Sequence, residues 1–522
     1  SSKKYATDNP NSMVLCHRKA KFKQTITADK GRRRRKNMTL SIRKQKKDLQ
    51  LKKKRRVGSR ERNNPTFSNL KAILFSPNSS EDDVIYATQG IRRLFSSENN
   101  LHIQEINDGI ISILVRNLTC NIYQTTIVIY ESVWALTNIA STSYSMDVVK
   151  AGAIRPLVDL LVHDDAKIRE QAIWCLGNIA GEGVYLRDQI LQESAIESLV
   201  MNLNDPQNMS LLGNAVWTTS NLCRGTPSPP KYMTAPVIQP LVSLLDRPIT
   251  KEIVIDILWA LSYLSDGDDT KIELVFSSGV THKLMRLLEG GFIPYKKMII
   301  RILGNFVSGN ESHTQGVIDS GVLDYLAGLM GCQSRQVRKE SCWLASNIAC
   351  GSQAQITKLV RKKLAVQQFV LSAMNDYWDV RQEAIWTLTN ICMYGNRTHV
   401  LSLVQAGGFE PLVMVLSLQD VDLALLVAAL DAVKNVLEMH HQHLRLFEEY
   451  DGIDYLEGLQ VHPNTVVYDK VVDLIGEFFG VVEDEDQNLV PETNENDRFM
   501  FGISGQTKTA SNGLAQHLQQ MS

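Results

Sequence analysis

The sequence has no run of 18 or more uninterrupted apolar residues, so no membrane-spanning helix is expected. Residues 1–13 (SSKKYATDNPNSM) contain no apolar core, so no secretory signal is expected there. No Cys-x-x-Cys pair occurs, and the eight cysteines are scattered. Cys175, Cys342 and Cys392 sit inside apolar helical patterns, which favours reduced core thiols over a disulfide framework or a metal centre. The eleven histidines show no metal spacing. GxGxxG, P-loop, HExxH and G-x-S-x-G arrangements are missing, so neither an enzyme nor a cofactor is expected. Signs of strands are scarce.

The zero net charge conceals a division. Residues 1–62 carry 23 Lys and Arg against 4 Asp and Glu, and the remainder carries 33 against 52, so a head of +19 joins a body of −19. Arg32, Arg33, Arg34, Arg35 and Lys36 form one basic block, and Lys52, Lys53, Lys54, Arg55 and Arg56 another. Between them, Leu40, Ile42, Leu49 and Leu51 alternate with Arg43, Lys44, Lys46 and Lys47, a pattern suited to a basic helix. Two readings stay open: a nucleic-acid-binding tail, or an arm that binds the acidic body itself.

At 522 residues the chain exceeds one hydrophobic core. From about 66 to 480 apolar residues recur at helical spacing between Gly and Asp-rich turns. Ala151–Glu182 shows the grammar: a Gly turn, an apolar helix, a turn at His163, Asp164 and Asp165, then a long helix. That long helix carries Trp-x-x-x-Asn. The pair recurs as Trp134–Asn138, Trp174–Asn178, Trp217–Asn221, Trp343–Asn347 and Trp386–Asn390, with imperfect copies at Trp259–Tyr263 and Arg301–Asn305. First positions are 40, 43, 42, 42, 42 and 43 residues apart, and of the seven tryptophans only Trp378 is out of register. This period is that of armadillo or HEAT-type repeats. The expected fold is all-α: a right-handed superhelical solenoid of about ten repeats behind a basic N-terminal arm. Residues 1–62 read as the arm, 66–480 as the repeats, and 481–522 as an acidic, polar, mostly disordered tail.

On a helix, residues four apart share a face, so each Trp lies beside its Asn. Neighbouring repeats set the pairs roughly 10 Å apart. Alternate side chains of an extended peptide, at roughly 3.3 Å per residue, fit between the rings. Indole faces suit Lys and Arg side chains, and Asn offers a peptide both donor and acceptor. Gln171, Asn214, Asp256, Glu340 and Glu383 lie three residues before the first position of their repeats, on the same side, and Glu182 follows Asn178 by one turn. A single Trp at this spacing is ordinary core packing; five pairs in register call for another reason. For the acids taken singly, a solvated helix face is the commoner fate.

These residues resemble importin-α, the family of nuclear import adaptors. The phrases are ESVWALTNIAS (131–141), WCLGNIAGEG (174–183), LLGNAVWTTSNLCRG (211–225), WALSYLSDG (259–267) and VPET (490–493). RRRRK (32–36), IRKQKKD (42–48) and KKKRR (52–56) resemble that family's importin-β-binding segment. The resemblance implies a major cargo site of Trp134, Asn138, Ser145, Gln171, Trp174, Asn178, Glu182, Asn214, Trp217 and Asn221. It implies a minor site and linker of Asp256, Trp259, Tyr263, Arg301, Asn305, Glu340, Trp343, Asn347, Glu383, Trp386 and Asn390. Implied partners are cargo with mono- or bipartite basic signals, importin-β on the basic arm, and the CAS-type export receptor on the C-terminal repeats. No membrane or direct nucleic acid is implied. Shuttling between cytoplasm and nucleus follows, with Lys52–Arg56 able to occupy the groove as autoinhibitor. Departures are Glu182 where the family has Asp, Ser145 for Thr in a loop shorter than usual, and Ser97 for Arg. Other classes are an armadillo scaffold, whose groove is usually basic where this body is acidic, and a nucleic-acid binder using the head.

Overall fold

The computed structural model describes residues 66–96, 109–119 and 125–479, and two short strands further on. The basic head, Ser97 and most of the acidic tail lie outside the described residues.

Turn chemistry sets the helix boundaries. Asp165 accepts from Lys167 N–H at 2.8 Å and starts Ala166–Glu182. Asn208 does the same for Met209–Leu222, and Thr250 for Lys251–Leu264. These caps satisfy N–H groups that have no partner within the helix. Gly152, Gly279, Gly321 and Gly407 have positive φ at the opening turns of their repeats. Ser194 and Asp451 take the same left-handed conformation without being glycine.

Each repeat ends in a helix whose neighbour in space is the equivalent helix one repeat on. In the first unit these are Glu81–Leu94, Ile127–Ala140, Ala166–Glu182, Met209–Leu222, Lys251–Leu264, Ile293–Phe306, Arg335–Ala349, Trp378–Tyr394 and Leu423–Leu437. They stand in one row, which places the sequence period in space. Their apolar sides are buried: Leu136, Ile173, Val216, Leu258, Ile302, Leu344, Leu388 and Val433 are inaccessible. Cys175, Cys223 and Cys392 are buried free thiols, and burial pushes each up to about 12, so they are inert core residues. Asn117, in a glycosylation-like Asn-Leu-Thr, is buried and donates to Ser132 Oγ at 3.2 Å.

A second unit begins at His440. Its helices Gln442–Glu449, Gly452–Leu459 and Thr465–Phe478 enclose Phe447, Leu456, Val467, Val471 and Leu474. Thr465–Phe478 brings the described repeat-ending helices to ten, nine of them in the first unit. Glu492–Thr493 pairs antiparallel with Phe499–Met500, a small exception to the all-α reading. The fold is otherwise a helical solenoid of armadillo type.

Candidate functional site

The asparagines are tied to the neighbouring helix. Asn178 Nδ2 donates to Thr137 O at 3.1 Å, Asn221 to Gly177 O at 3.0 Å, Asn305 to Ser262 O at 3.1 Å and Asn390 to Ser346 O at 2.9 Å. In every case the acceptor is the residue just before the equivalent position of the preceding repeat. A carbonyl has two lone pairs, so these can accept the carboxamide without losing their helical bonds. Asn138, at the first end, donates instead to Ser96 Oγ at 2.9 Å. Asn347 departs from the series: its Nδ2 is buried without a hydrogen-bond partner. The carboxamides of Asn178, Asn221 and Asn390 each keep their second N–H and their oxygen. One N–H of most of these carboxamides is committed to holding the row in register.

The residue before each Asn position is small: Thr137, Gly177, Ser220, Ser262, Gly304, Ser346 and Thr389. The next tryptophan explains two of them. A Cβ on Gly177 would lie 2.3 Å from the Trp217 ring, and one on Gly304 would lie 2.1 Å from the Trp343 ring. Ser220, Ser262 and Ser346 turn their hydroxyls inward, each donating to the carbonyl three residues back. The row thus has a second periodic signal, Trp-x-x-small-Asn, legible in the sequence.

The tryptophans differ in exposure. Trp174 and Trp217 are 6% and 5% exposed and pack together, whereas Trp134, Trp259, Trp343 and Trp386 are half-buried. Tyr263 stacks on Trp259 with centroids 5.6 Å apart.

Several residues expected to line open slots are engaged with the protein. Glu340 is 3% exposed and accepts from both Nε and Nη2 of Arg301, the former at 2.8 Å. Burial works against both charges, but each is outweighed by its partner, so the Glu340 carboxyl lies below its usual range and the Arg301 guanidinium above. Glu340 is therefore the counter-ion of Arg301. Gln171 Nε2 donates to Thr137 Oγ1 at 2.8 Å, and Asn214 Nδ2 to Glu170 Oε1 at 3.3 Å. Ser145, read as the pocket hydroxyl, is buried and donates to Ala140 O at 2.8 Å, which closes the short loop. Glu182 is exposed at the last turn of its helix, Asp256 is half-buried, and Glu383 is buried beside Trp386.

Other residues here escaped the sequence reading. Arg92 lies over the Trp134 ring, 4.3 Å from its centroid, and its Nε donates to Glu131 Oε2 at 2.7 Å. Lys297 stands 5.9 Å from the Trp259 centroid. Arg224 donates to Gly181 O at 3.0 Å, and burial lowers its pKa. Asn435, in a helix without a Trp, also ties to the preceding helix, but to Cys392 O at 3.2 Å, two residues after Asn390 rather than one before it. The signal for Arg92 was present: it and Ser96 stand 42 residues before Trp134 and Asn138.

Comparison with known proteins agrees with this architecture. Residues 18–112 match the family described as Importin beta binding domain, 144–181 the Armadillo/beta-catenin-like repeat, and 442–492 the Atypical Arm repeat. A solved structure of an engineered protein superposes with a TM-score of 0.71 at 23% identity, covering 80% of this chain and 99% of its own, a likeness of fold alone. Importin subunit alpha-1b of Oryza sativa subsp. japonica is 31% identical over 81% of this chain and 81% of its own. Importin subunit alpha-1a of the same plant is 31% identical over 94% and 97%, and Importin subunit alpha-3 of Arabidopsis thaliana 31% over 93% and 96%. With relatives matching over nearly its whole length, and with a beta-binding segment ahead of armadillo repeats, this chain belongs to the importin α-subunit family.

Proposed function

We propose that the protein is a non-enzymatic nuclear import adaptor whose Trp/Asn row binds basic peptide signals in extended form. The observation that carries this reading is the row itself. Tryptophans stand at the same position of six of seven successive helices, with Arg301 in the other, and asparagine bonds to the neighbouring helix fix their register. A rigid, evenly spaced set of indoles suits alternate Lys and Arg side chains of one extended strand. The remaining amide valences can face its backbone, and a body of −19 favours a cationic partner.

The basic head links cargo to importin-β, a role supported by the family match at 18–112. Lys52–Arg56 compete with cargo for the row when the head is free. The export receptor uses the C-terminal repeats, and the protein shuttles between cytoplasm and nucleus.

Titration of full-length protein with a labelled Lys/Arg-rich peptide tests this. Micromolar or tighter binding is expected, with loss when the peptide's Lys and Arg become Glu. Trp386→Ala weakens a two-cluster peptide more than a one-cluster peptide. Replacing Lys52–Arg56 by Ala raises affinity for both, because a tethered competitor acts at roughly millimolar effective concentration. No binding by wild type and the head variant alike would exclude the reading.

A further inference from the structure

Arg92 occupies the Trp position of its helix, one repeat before Trp134. Its guanidinium covers the Trp134 ring at 4.3 Å and donates to Glu131, which is 7% exposed and three residues before that Trp. Tyr130 closes on the same ring edge-on, with centroids 5.6 Å apart. The second stretch begins the same way. Arg301 occupies the Trp position, lies over Trp343 at 5.8 Å, and pairs with buried Glu340, three residues before that Trp. Two sets of Arg, Glu and Trp thus recur in one register at the start of two runs of tryptophan. An indole face with a buried carboxylate is what a cationic side chain from outside would need. At both starts the chain supplies that cation itself.

We propose that Arg92 is a built-in cation that closes the first run at its Trp134 end and so limits the length of basic peptide that run can read. This rests on the reading of the row as a site for basic peptides. The first run spans Trp134, Trp174 and Trp217, and the second Trp343 and Trp386. A basic residue placed beyond Trp134 finds its site filled and gains nothing.

The test uses full-length protein and three peptides: four consecutive basic residues flanked by Gly, and that core with one further Lys at its amino or its carboxyl end. The readout is the affinity ratio of extended to core peptide on the same protein, in which competition from the head cancels. In wild type, the extension pointing toward Arg92 changes the Kd less than twofold. In Arg92→Ser, which keeps Glu131, that extension alone tightens binding on the order of threefold to tenfold. Arg92→Lys behaves as wild type. If Arg92→Ser does not fold, the double variant Arg92→Gln with Glu131→Gln replaces it, with about a twofold to threefold gain on the same extension. Core binding with equal ratios in wild type and in the folded variant overturns the role of Arg92 and leaves the row intact. If wild type does not bind the core peptide, the row reading fails and this proposal with it.

Discussion

The two runs of tryptophan start alike and are built differently. The first, from Trp134 to Trp217, has three rings, two of them almost wholly buried and packed together. The second, Trp343 and Trp386, has two half-buried rings, an Asn whose Nδ2 has no partner, and an ion pair held by two hydrogen bonds. The first is therefore organised by apolar packing and the second by charge. Between them Tyr263 stacks on Trp259, and Lys297 and Arg301 place cations where a continuous row would have open aromatic faces. One repeat spacing of 40 to 43 residues thus yields two runs of tryptophan held in different ways.

The largest effect is expected at the charged start of the second run. Arg301→Ala leaves Glu340 buried with a hydrogen bond from Gln336 at 3.3 Å and the more distant charge of Lys297. Breaking one side of such a pair costs about 3 kcal/mol. Arg92→Ala removes a single bond to Glu131 and costs less, about 2 kcal/mol. Hydrogen exchange in Arg335–Ala349 and in Ile127–Ala140 reads the two separately. Because Arg301 holds the Glu340 carboxyl below its usual range, its contribution is complete above the unfolded value of about 4.3 and is lost as pH falls below it. Equal protection losses in the two variants would remove the distinction between the runs.

The next effect reverses the order. Gly177→Ala drives a methyl into the Trp217 ring and, at 2.4 Å, into Thr218 Oγ1, both buried. The gain in helix propensity, about 1 kcal/mol, is outweighed by overpacking, and a net loss of about 2 kcal/mol is expected. The three atoms nearest a Cβ at Gly304 all belong to Trp343, which is half-buried and so less confined than Trp217, and about 1 kcal/mol is expected for Gly304→Ala. Urea unfolding monitored by hydrogen exchange gives both numbers. A larger loss at Gly304 would show that exposure does not govern the ring's freedom to move.

These contrasts show what could be seen in the sequence. The helices, their period and the break at Tyr263 and Arg301 follow from spacing, because a repeat that cannot bury its own apolar face imposes its period on the chain. Which valences are engaged does not follow. Glu340 and Glu383 look alike by offset, but only the first has an Arg at the Trp position one repeat earlier. Arg92 was legible in the same way once the register was extended backward, but its helix lacks both Trp and Asn. The Asn–carbonyl bonds depend on main-chain approach between helices, which the Trp-x-x-x-Asn spacing alone does not report. The small residue before each Asn was the available clue.

The asparagines give a finer comparison. Asn390→Ala removes a bond to Ser346 O and should cost about 1 kcal/mol. Asn178→Ala removes the equivalent bond to Thr137 O, with the same expectation. Asn347→Ala removes a carboxamide whose Nδ2 is buried without a partner, so stability should be unchanged or slightly raised. If Asn347 touches a peptide, the same variant lowers affinity for two-cluster peptides while leaving the fold intact. A loss of stability equal to that of Asn390→Ala would show that Asn347 is a structural tie like the others.

The smallest effect concerns pH, and it falls on the second run alone. The turn after the Trp386 helix is a capping box closed by histidine: Asn396 Oδ1 accepts from His399 N–H at 3.1 Å, and Asn396 N–H donates to His399 Nδ1 at 3.1 Å. His399 Nε2 lies 2.8 Å from Thr357 Oγ1. Nδ1 is the acceptor, so the neutral ring carries its proton on Nε2, and a second proton would have to go on Nδ1, facing an N–H. Burial lowers the His399 pKa from its ordinary 6.5. A lowered folded value means that the unfolded chain takes up the proton first, so stability is complete above about 6.5 and declines as pH falls toward the folded value. The turns after the Trp134 and Trp174 helices have no such box: Tyr144 and Gly183 precede their next helices without a side-chain cap. Between pH 7.5 and 5.5 exchange should accelerate in Arg397–Gln405, once corrected for its intrinsic pH dependence, and not in Ser145–Lys150 or Val184–Gln192. His399→Gln, which keeps an acceptor for Asn396 N–H, should abolish the difference. A pH response that survives in that variant would place the titrating group elsewhere.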